Sequence, residues 1–107
     1  MMPIMQHDLF ANPNARTRRA FPLVVVLQAD FAEGETRLIA PLAPHTGPLA
    51  SAASRALPLI DHDDKRYAVT LPLISSLPRH QLRNPVGSLA PYRDDITRAL
   101  DWLFFGI

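Results

Sequence analysis

The sequence predicts a mainly β, α+β domain in which an antiparallel, partly open barrel-like sheet is closed by one C-terminal helix. Three observations predict this class. The 11 prolines among 107 residues, against a usual share of about 5%, divide the chain into short segments that favour strands and turns. A continuous β-branched run, LVVVL at residues 23–27, fits a strand buried on both faces. From Tyr92 onward, apolar side chains recur at the three- and four-residue spacing of a helix.

The first half of the chain predicts three strands. Residues 5–10 alternate weakly between apolar and polar and form the first strand, and the LVVVL run forms the centre of the sheet. Gly34 lies between two glutamates and suits a turn over residues 30–36, so residues 37–42 return as a hairpin partner. Pro41 lacks an amide donor, and we expect it at a sheet edge, a bulge or the strand end.

The second half of the chain predicts a further hairpin before the helix. Residues 57–60 and 66–71 read as strands joined by an acidic turn at residues 61–65. The apolar side chains of residues 73–77 are expected to bring the chain back across the core. Residues 44–56 are small and polar, and they fit either a loop or a short helical turn.

The C-terminal helix is predicted in most detail. Its core-facing stripe comprises Tyr92, Ile96, Ala99, Leu100 and Leu103. Pro91 suits the first helical position, where its missing N–H would have no partner anyway. Successive side chains are about 100° apart around a helix axis, so a helix that buries this stripe places Phe105 on the solvent side. Gly106 is expected to end the helix in a left-handed conformation. An early unwinding that packs Phe104 and Phe105 inside is the alternative.

Composition and motif content exclude several function classes. A net charge of +1 provides no global basic field for nonspecific nucleic-acid binding. Without cysteine there is neither a disulfide nor a thiolate metal site. The acidic cluster at residues 61–64 lacks the alternation of a calcium loop and is interpreted as a polar turn, so no metal and no cofactor are expected.

Catalysis and membrane insertion are also not indicated. The chain contains no nucleophile elbow, phosphate loop or dinucleotide fingerprint, so we expect no enzymatic activity. Residues 1–14 lack the features of a secretory signal, and no stretch approaches the ~18 apolar residues of a membrane span. We therefore expect a cytoplasmic protein with no membrane partner.

Three stretches resemble one protein family. The run DITRALDWLFFGI at residues 95–107 resembles the C-terminus of the CcdB toxins of bacterial toxin-antitoxin modules. LVVVLQADF at residues 23–31 and RLIAPLA at residues 37–43 resemble the same family, in the same order and at compatible spacing. The resemblance implies an SH3-like fold shared with the MazF and Kid toxins, and a homodimer.

The resemblance also implies a target and the residues that bind it. CcdB toxins poison DNA gyrase: their C-terminal tail enters the GyrA dimer interface and blocks resealing of cut DNA. The positions that match the family's gyrase-binding residues are Phe105, Gly106, Ile107, Asp101, Phe104, Phe31 and Ala32. Phe105 stands where the best-known members have Trp, Asp101 where they have Asn, and Ala32 where an Ile is expected.

A second implied partner is a CcdA-like antitoxin with an acidic, disordered segment. The loop at residues 11–19 concentrates positive charge, which indicates either a solvated loop or a docking surface for that segment. The residues assigned to antitoxin binding are Arg16, Arg18, Arg19 and His45. The alternative function is a MazF/Kid-like ribonuclease specific for single-stranded RNA, in which the same arginines act with His80 and Arg83.

Overall fold

The computed structural model describes residues 3–30, 34–47 and 55–107. Its strands are β1 (Asp8–Ala11), β2 (Leu23–Val26), β3 (Thr36–Pro44), β4 (Leu59–His62), β5 (Lys65–Val69), β6 (Ser75–Pro78) and β7 (Gly87–Ser88). One α-helix, α1 (Arg93–Phe105), and short 3-10 turns at Leu71–Leu73, Arg79–Gln81 and Ala90–Tyr92 complete this part of the chain. No helix within it has the length and apolar character needed to cross a membrane.

The strands form one antiparallel, nearly closed barrel-like sheet, which confirms the predicted fold class. The strand order is β4-β5-β3-β2-β1-β7, and β6 pairs with the first half of β3. The long strand β3 therefore has two partners on one side, β6 and then β5, while β2 lies on the other. The predicted hairpin of residues 23–27 and 37–42 is confirmed, with Val25 opposite Ala40.

The strand β2 is the interior strand that the LVVVL run predicts, because its side chains are buried on both faces of the sheet. Val25 packs in the larger cluster with Ile96 and Ala99 of α1. Val24 and Val26 face the other way and pack with Phe10 and Leu82. A strand with two apolar faces needs cover on both sides, and the helix supplies it on one.

Pro41 lies where β3 changes partner on one side. The pairing with β6 ends at Ile39, and the pairing with β5 begins at Leu42. The Pro41 carbonyl accepts hydrogen bonds from the backbone N–H of Thr70 at 2.9 Å and from its hydroxyl at 2.6 Å. The backbone N and O of a strand residue point to the same side of the strand. The proline nitrogen, which has no N–H, therefore faces the gap between β6 and β5, where no strand partner requires a donor.

Three boundaries differ from the sequence prediction for local reasons. The first strand starts at Asp8 because His7 has a left-handed φ of 70° and residues 5–8 form a turn, with the Asp8 amide donating to the Met5 carbonyl at 3.1 Å. The 3-10 turn at Leu71–Leu73 buries Leu71 and leaves Leu73 51% exposed, so Leu73 does not cross the core. Pro91 lies in the 3-10 turn before α1, so it is not the first residue of the α-helix.

The second hairpin turns in two residues. Asp63 and Asp64 have φ of 52° and 64°, and His62 pairs with Lys65. Two consecutive positive φ values are characteristic of the type I′ turn, whose twist matches that of the flanking strands. The acidic segment is thus a polar turn, narrower than the predicted residues 61–65.

The two ends of the sheet meet at a seam between β4 and β7. The His62 ring lies so close to Gly87 that a Cβ there would be 3.0 Å from His62 Cε1. Beside it, the Asp61 backbone N–H donates to the Tyr92 hydroxyl at 3.1 Å. Side chains therefore close the barrel where the strand ladder stops.

Candidate functional site

The C-terminal tip, defined here as residues 104–107, projects from the end of α1 into solvent. Phe104 is 63% exposed, Phe105 73% and Ile107 84%. The helix continues through Phe105, so the alternative of early unwinding with both rings inside is wrong. The predicted exposure of Phe105 is confirmed.

The base of α1 anchors this tip. Ile96 and Ala99 are buried in the larger core cluster, and Leu100, Leu103 and Tyr92 pack against it. The predicted stripe is therefore the face that holds the helix to the sheet. Burial of one face fixes the direction in which the other face and the last turn point.

Gly106 ends the helix as predicted. It has φ 71° and ψ 22°, the left-handed region, and its N–H donates to the Trp102 carbonyl at 2.9 Å. Among the described residues, and apart from its chain neighbours and the helix backbone, no atom lies within 4 Å of where a Cβ would stand. The demand for glycine therefore comes from the backbone angle. Ile107 leaves the helix axis in the direction that this angle sets.

The remaining residues matched to gyrase binding divide into two groups. Asp101 is exposed and lies one helical turn before Phe105 and three residues before Phe104, so the helix brings the three side chains onto one outward surface. Phe31 and Ala32 lie outside the described residues. Their neighbour Asp30 is exposed, and its carboxylate accepts a hydrogen bond from the Gln6 backbone N–H.

Arg55 contacts the helix near the tip, and the sequence analysis did not predict this contact. Its Cζ lies 6.0 Å from the centroid of the Trp102 ring. Both residues line an open groove of about 470 Å³ that runs between the start of β4 and α1 and ends at Ile107. The two residues are far apart in sequence, and no local pattern signals their contact.

The basic loop at residues 11–19 is ordered by Asn12, another residue that the sequence analysis did not single out. Asn12 is only 6% exposed. Its amide group donates to the Thr17 hydroxyl at 3.0 Å and to the Phe21 carbonyl at 2.8 Å, and its side-chain oxygen accepts from the Asn14 N–H at 3.0 Å. Arg16, Arg18 and Arg19 are exposed on this scaffold.

A second groove joins the basic loop to the turn after β6. It has a volume of about 580 Å³, and its lining includes Pro13, Ala15 and Leu77 with His80 and Arg83. The fold thus brings together two basic segments that are far apart in sequence. This placement adds His80 and Arg83 to the same surface as the arginines of the loop.

His45 follows β3 at the same end of the sheet as the connection between β1 and β2. Leu23 is opposite both Ala11 and Leu42 in the register, so both segments leave the sheet at this end. His45 is half-buried, and its backbone N–H donates to the Arg66 carbonyl at 2.9 Å. The register therefore brings His45 to the side of the molecule from which the basic loop starts.

His7 and Asp61 make contacts within the fold. His7 is buried, and desolvation, followed by the positive charge of Arg93, lowers the pKa of its imidazole. Asp61 pairs with Arg66 at 3.0 Å across the second hairpin. Within the described part of the chain, no three His, Asp or Glu side chains are grouped closely enough to hold a metal ion.

The chain matches the model of a known protein family. The family model described as CcdB protein matches residues 6–106 of the 107-residue chain. This range includes the basic loop, the sheet, α1 and Gly106, and it ends one residue before Ile107. A search of curated proteins found no match.

Proposed function

The chain belongs to the CcdB family of toxins of toxin-antitoxin modules, and from this premise we propose that it poisons DNA gyrase by inserting its C-terminal tip into the GyrA dimer interface. Inserted there, the tip holds the enzyme in the state in which DNA is cut and prevents resealing. The protein needs no active site of its own for this, and it acts in the cytoplasm, where gyrase works.

The observation that carries this proposal is the exposed aromatic tip on an anchored helix. Phe105 and Ile107 are 73% and 84% exposed, while Ile96 and Ala99 at the base of the same helix are buried. Large apolar side chains held in solvent on a rigid support are typical of a binding surface. A ring whose position is already fixed loses little conformational entropy when it binds.

The replacement of Trp by Phe at the tip changes the expected strength of binding. Phe105 retains a π face on which a guanidinium can stack, but the ring is smaller than an indole and has no N–H donor. We expect inhibition of gyrase to be weaker than with Trp at this position. Phe105→Trp should therefore strengthen inhibition, and a preference for topoisomerase IV would appear as selective loss of decatenation activity.

The test is a supercoiling assay with purified gyrase, followed by detection of linear DNA. We expect the chain to inhibit supercoiling and to leave linear DNA, and Phe105→Ala or removal of Gly106 and Ile107 to abolish both effects without unfolding the protein. Val86→Ala is the matched control because Val86 is 47% exposed and lies outside the tip. Undiminished poisoning by the truncated chain would refute the role of the tip.

We also propose that a CcdA-like antitoxin docks its acidic segment on the basic loop. The arginines of that loop are exposed on a preorganised scaffold, and the adjoining groove offers apolar contacts at Pro13, Ala15 and Leu77. An acidic chain that folds on binding gains from charges already held in place. Arg16→Glu with Arg18→Glu should weaken binding of an acidic peptide at low salt, and equal affinity would exclude this surface.

We propose that the functional unit is a homodimer. Leu38 and Leu73 are 46% and 51% exposed, which leaves large apolar side chains uncovered on the β3 strand and on the turn that precedes β6. A second copy of the chain would cover them. Sedimentation should give twice the mass of the chain, and Leu73→Glu should shift it toward monomer; a monomeric parent protein would contradict the proposal.

A second candidate function is the single-strand-specific ribonuclease, which is favoured by the way the fold groups His80 and Arg83 with the basic loop around one groove. A histidine beside cationic side chains can move protons next to bound phosphates. Incubation of the protein with single-stranded RNA in the absence of gyrase tests it. RNA cleavage that His80→Ala abolishes would favour the ribonuclease, whereas intact RNA after long incubation would exclude it.

A further inference from the structure

The last turn of α1 is contacted from outside the helix at the Trp102 ring. The Arg55 guanidinium lies 6.0 Å from the ring centroid, and Trp102 is 37% exposed. We propose that Arg55 is a positioning residue for the tip: it holds the indole by a cation-π contact and thereby orders the final turn. Only the consequence for target binding rests on the proposed function.

Trp102 connects this contact directly to the tip. Its carbonyl accepts the Gly106 N–H at 2.9 Å, and that hydrogen bond sets the direction in which Ile107 leaves the helix. The ring held by Arg55 and the carbonyl that caps the helix belong to one residue. A contact that restrains the ring therefore also restrains the hydrogen bond on which the tip depends.

The final turn needs such a contact because it has little burial of its own. Ile96 and Ala99 are buried in the first two turns of the helix, whereas Leu103 is only partly buried, and Phe104 and Phe105 are exposed. Helix ends with few buried apolar contacts fray. The indole of Trp102 brings the end of α1 into contact with Arg55, in the segment before β4.

Arg55 is well placed to act as a support. The next residue, Ala56, is 4% exposed, and the Pro58 carbonyl accepts the Val69 N–H of β5 at 2.8 Å, so the segment is tied to the sheet. Arg98 lines the same groove, but its guanidinium faces Asp95 at 3.6 Å. Arg55 is therefore the guanidinium in this groove that is directed at the ring.

Trp102 also reports on the contact, since it is the single tryptophan of the chain. Arg55→Met keeps an unbranched apolar stem and removes the charge. Arg98→Met removes one charge from the same groove and is the matched control. A cation-π contact at an exposed site corresponds to about a two- to fivefold change in an equilibrium constant.

We expect Arg55→Met to increase acrylamide quenching of Trp102 fluorescence and to speed hydrogen exchange at the Gly106 amide by about two- to fivefold. Arg98→Met should leave both unchanged, and Arg55→Lys should restore part of the protection because it restores a cation. Unchanged quenching and unchanged exchange in Arg55→Met would overturn the positioning role.

A gyrase inhibition assay distinguishes the positioning role of Arg55 from the proposed binding of gyrase by the tip. If both hold, Arg55→Met should raise the concentration needed for half-inhibition by about the same two- to fivefold. If exchange at Gly106 accelerates while Phe105→Ala still poisons gyrase, the tip is not the gyrase-binding element, and the positioning role stands. If Phe105→Ala abolishes poisoning and Arg55→Met leaves exchange unchanged, the tip is the gyrase-binding element and Arg55 does not position it.

Discussion

Replacement of Gly106 tests whether the tip acts through its shape as well as through its side chains. Gly106 has φ 71°, and an L-residue with a Cβ is less stable than glycine there by about 1–2 kcal/mol. The space around the position is open, so no clash adds to this difference. Gly106→Ala therefore favours conformations in which Ile107 points elsewhere.

The size of the effect follows from the population of the left-handed cap. A difference of about 1–2 kcal/mol lowers that population by about 5- to 30-fold, and the apparent affinity for the target falls by up to the same factor. Asn tolerates the left-handed region better than Ala does, so inhibition should follow the order Gly, Asn, Ala.

The assay is half-inhibition of gyrase supercoiling, with the thermal midpoint of each variant measured in parallel. The midpoint should change by no more than about 1 °C, because a strained cap at the end of an exposed turn can fray without unfolding the domain. Equal inhibition by the Gly, Asn and Ala proteins would refute the reasoning. So would a large loss of stability that accounts for the loss of activity.

Three further predictions concern stability. Asn12→Ala removes three hydrogen bonds of a buried side chain and should lower the free energy of unfolding by about 1.5–4 kcal/mol in urea titration; a loss below about 0.5 kcal/mol would contradict this. Asp64→Gly should raise that free energy by about 0.5–1 kcal/mol, because φ is 64° at this turn position, and a decrease would count against the turn assignment. Burial lowers the pKa of His7, so the unfolded chain binds the proton more readily. The contribution of His7 is complete above pH ~6.5 and is lost as the pH falls through the lower folded-state pKa. The comparison is with His7→Asn, because asparagine also adopts a positive φ such as the 70° found here. In chemical denaturation, the free energy of unfolding of the parent protein should fall more between pH 7.5 and 5 than that of the variant, and equal losses would contradict this.

The features that the sequence predicted are those that depend on local periodicity. The β-branched run at residues 23–27 and the stripe of Ile96 and Ala99 each identify core-facing residues from a short segment of the sequence. The interior strand and the helix are therefore predictable. Gly106 is predictable for a similar reason, because few residues adopt the left-handed cap. The exposure of Phe105 is predictable from the same helical period.

The features that the sequence did not reveal depend on contacts between distant segments. Asn12 resembles any polar loop residue until the chain folds around its amide, and nothing near Arg55 indicates a ring 47 positions away. His7 shows how one backbone angle can shift a strand boundary, since its positive φ delays β1 to Asp8. The assignment of residues to gyrase binding stays a prediction for all seven positions, and Phe31 and Ala32 also lie outside the described residues.

The seam between β4 and β7 limits how other chains can attach to this protein. Unpaired strand edges invite further strands and promote aggregation, but here the two terminal edges face one another across the His62 ring. The phenol of Tyr92 also occupies the Asp61 amide, a donor that an incoming strand would require. Another polypeptide therefore cannot extend the sheet by backbone pairing at this seam, and recognition at this place has to use side chains.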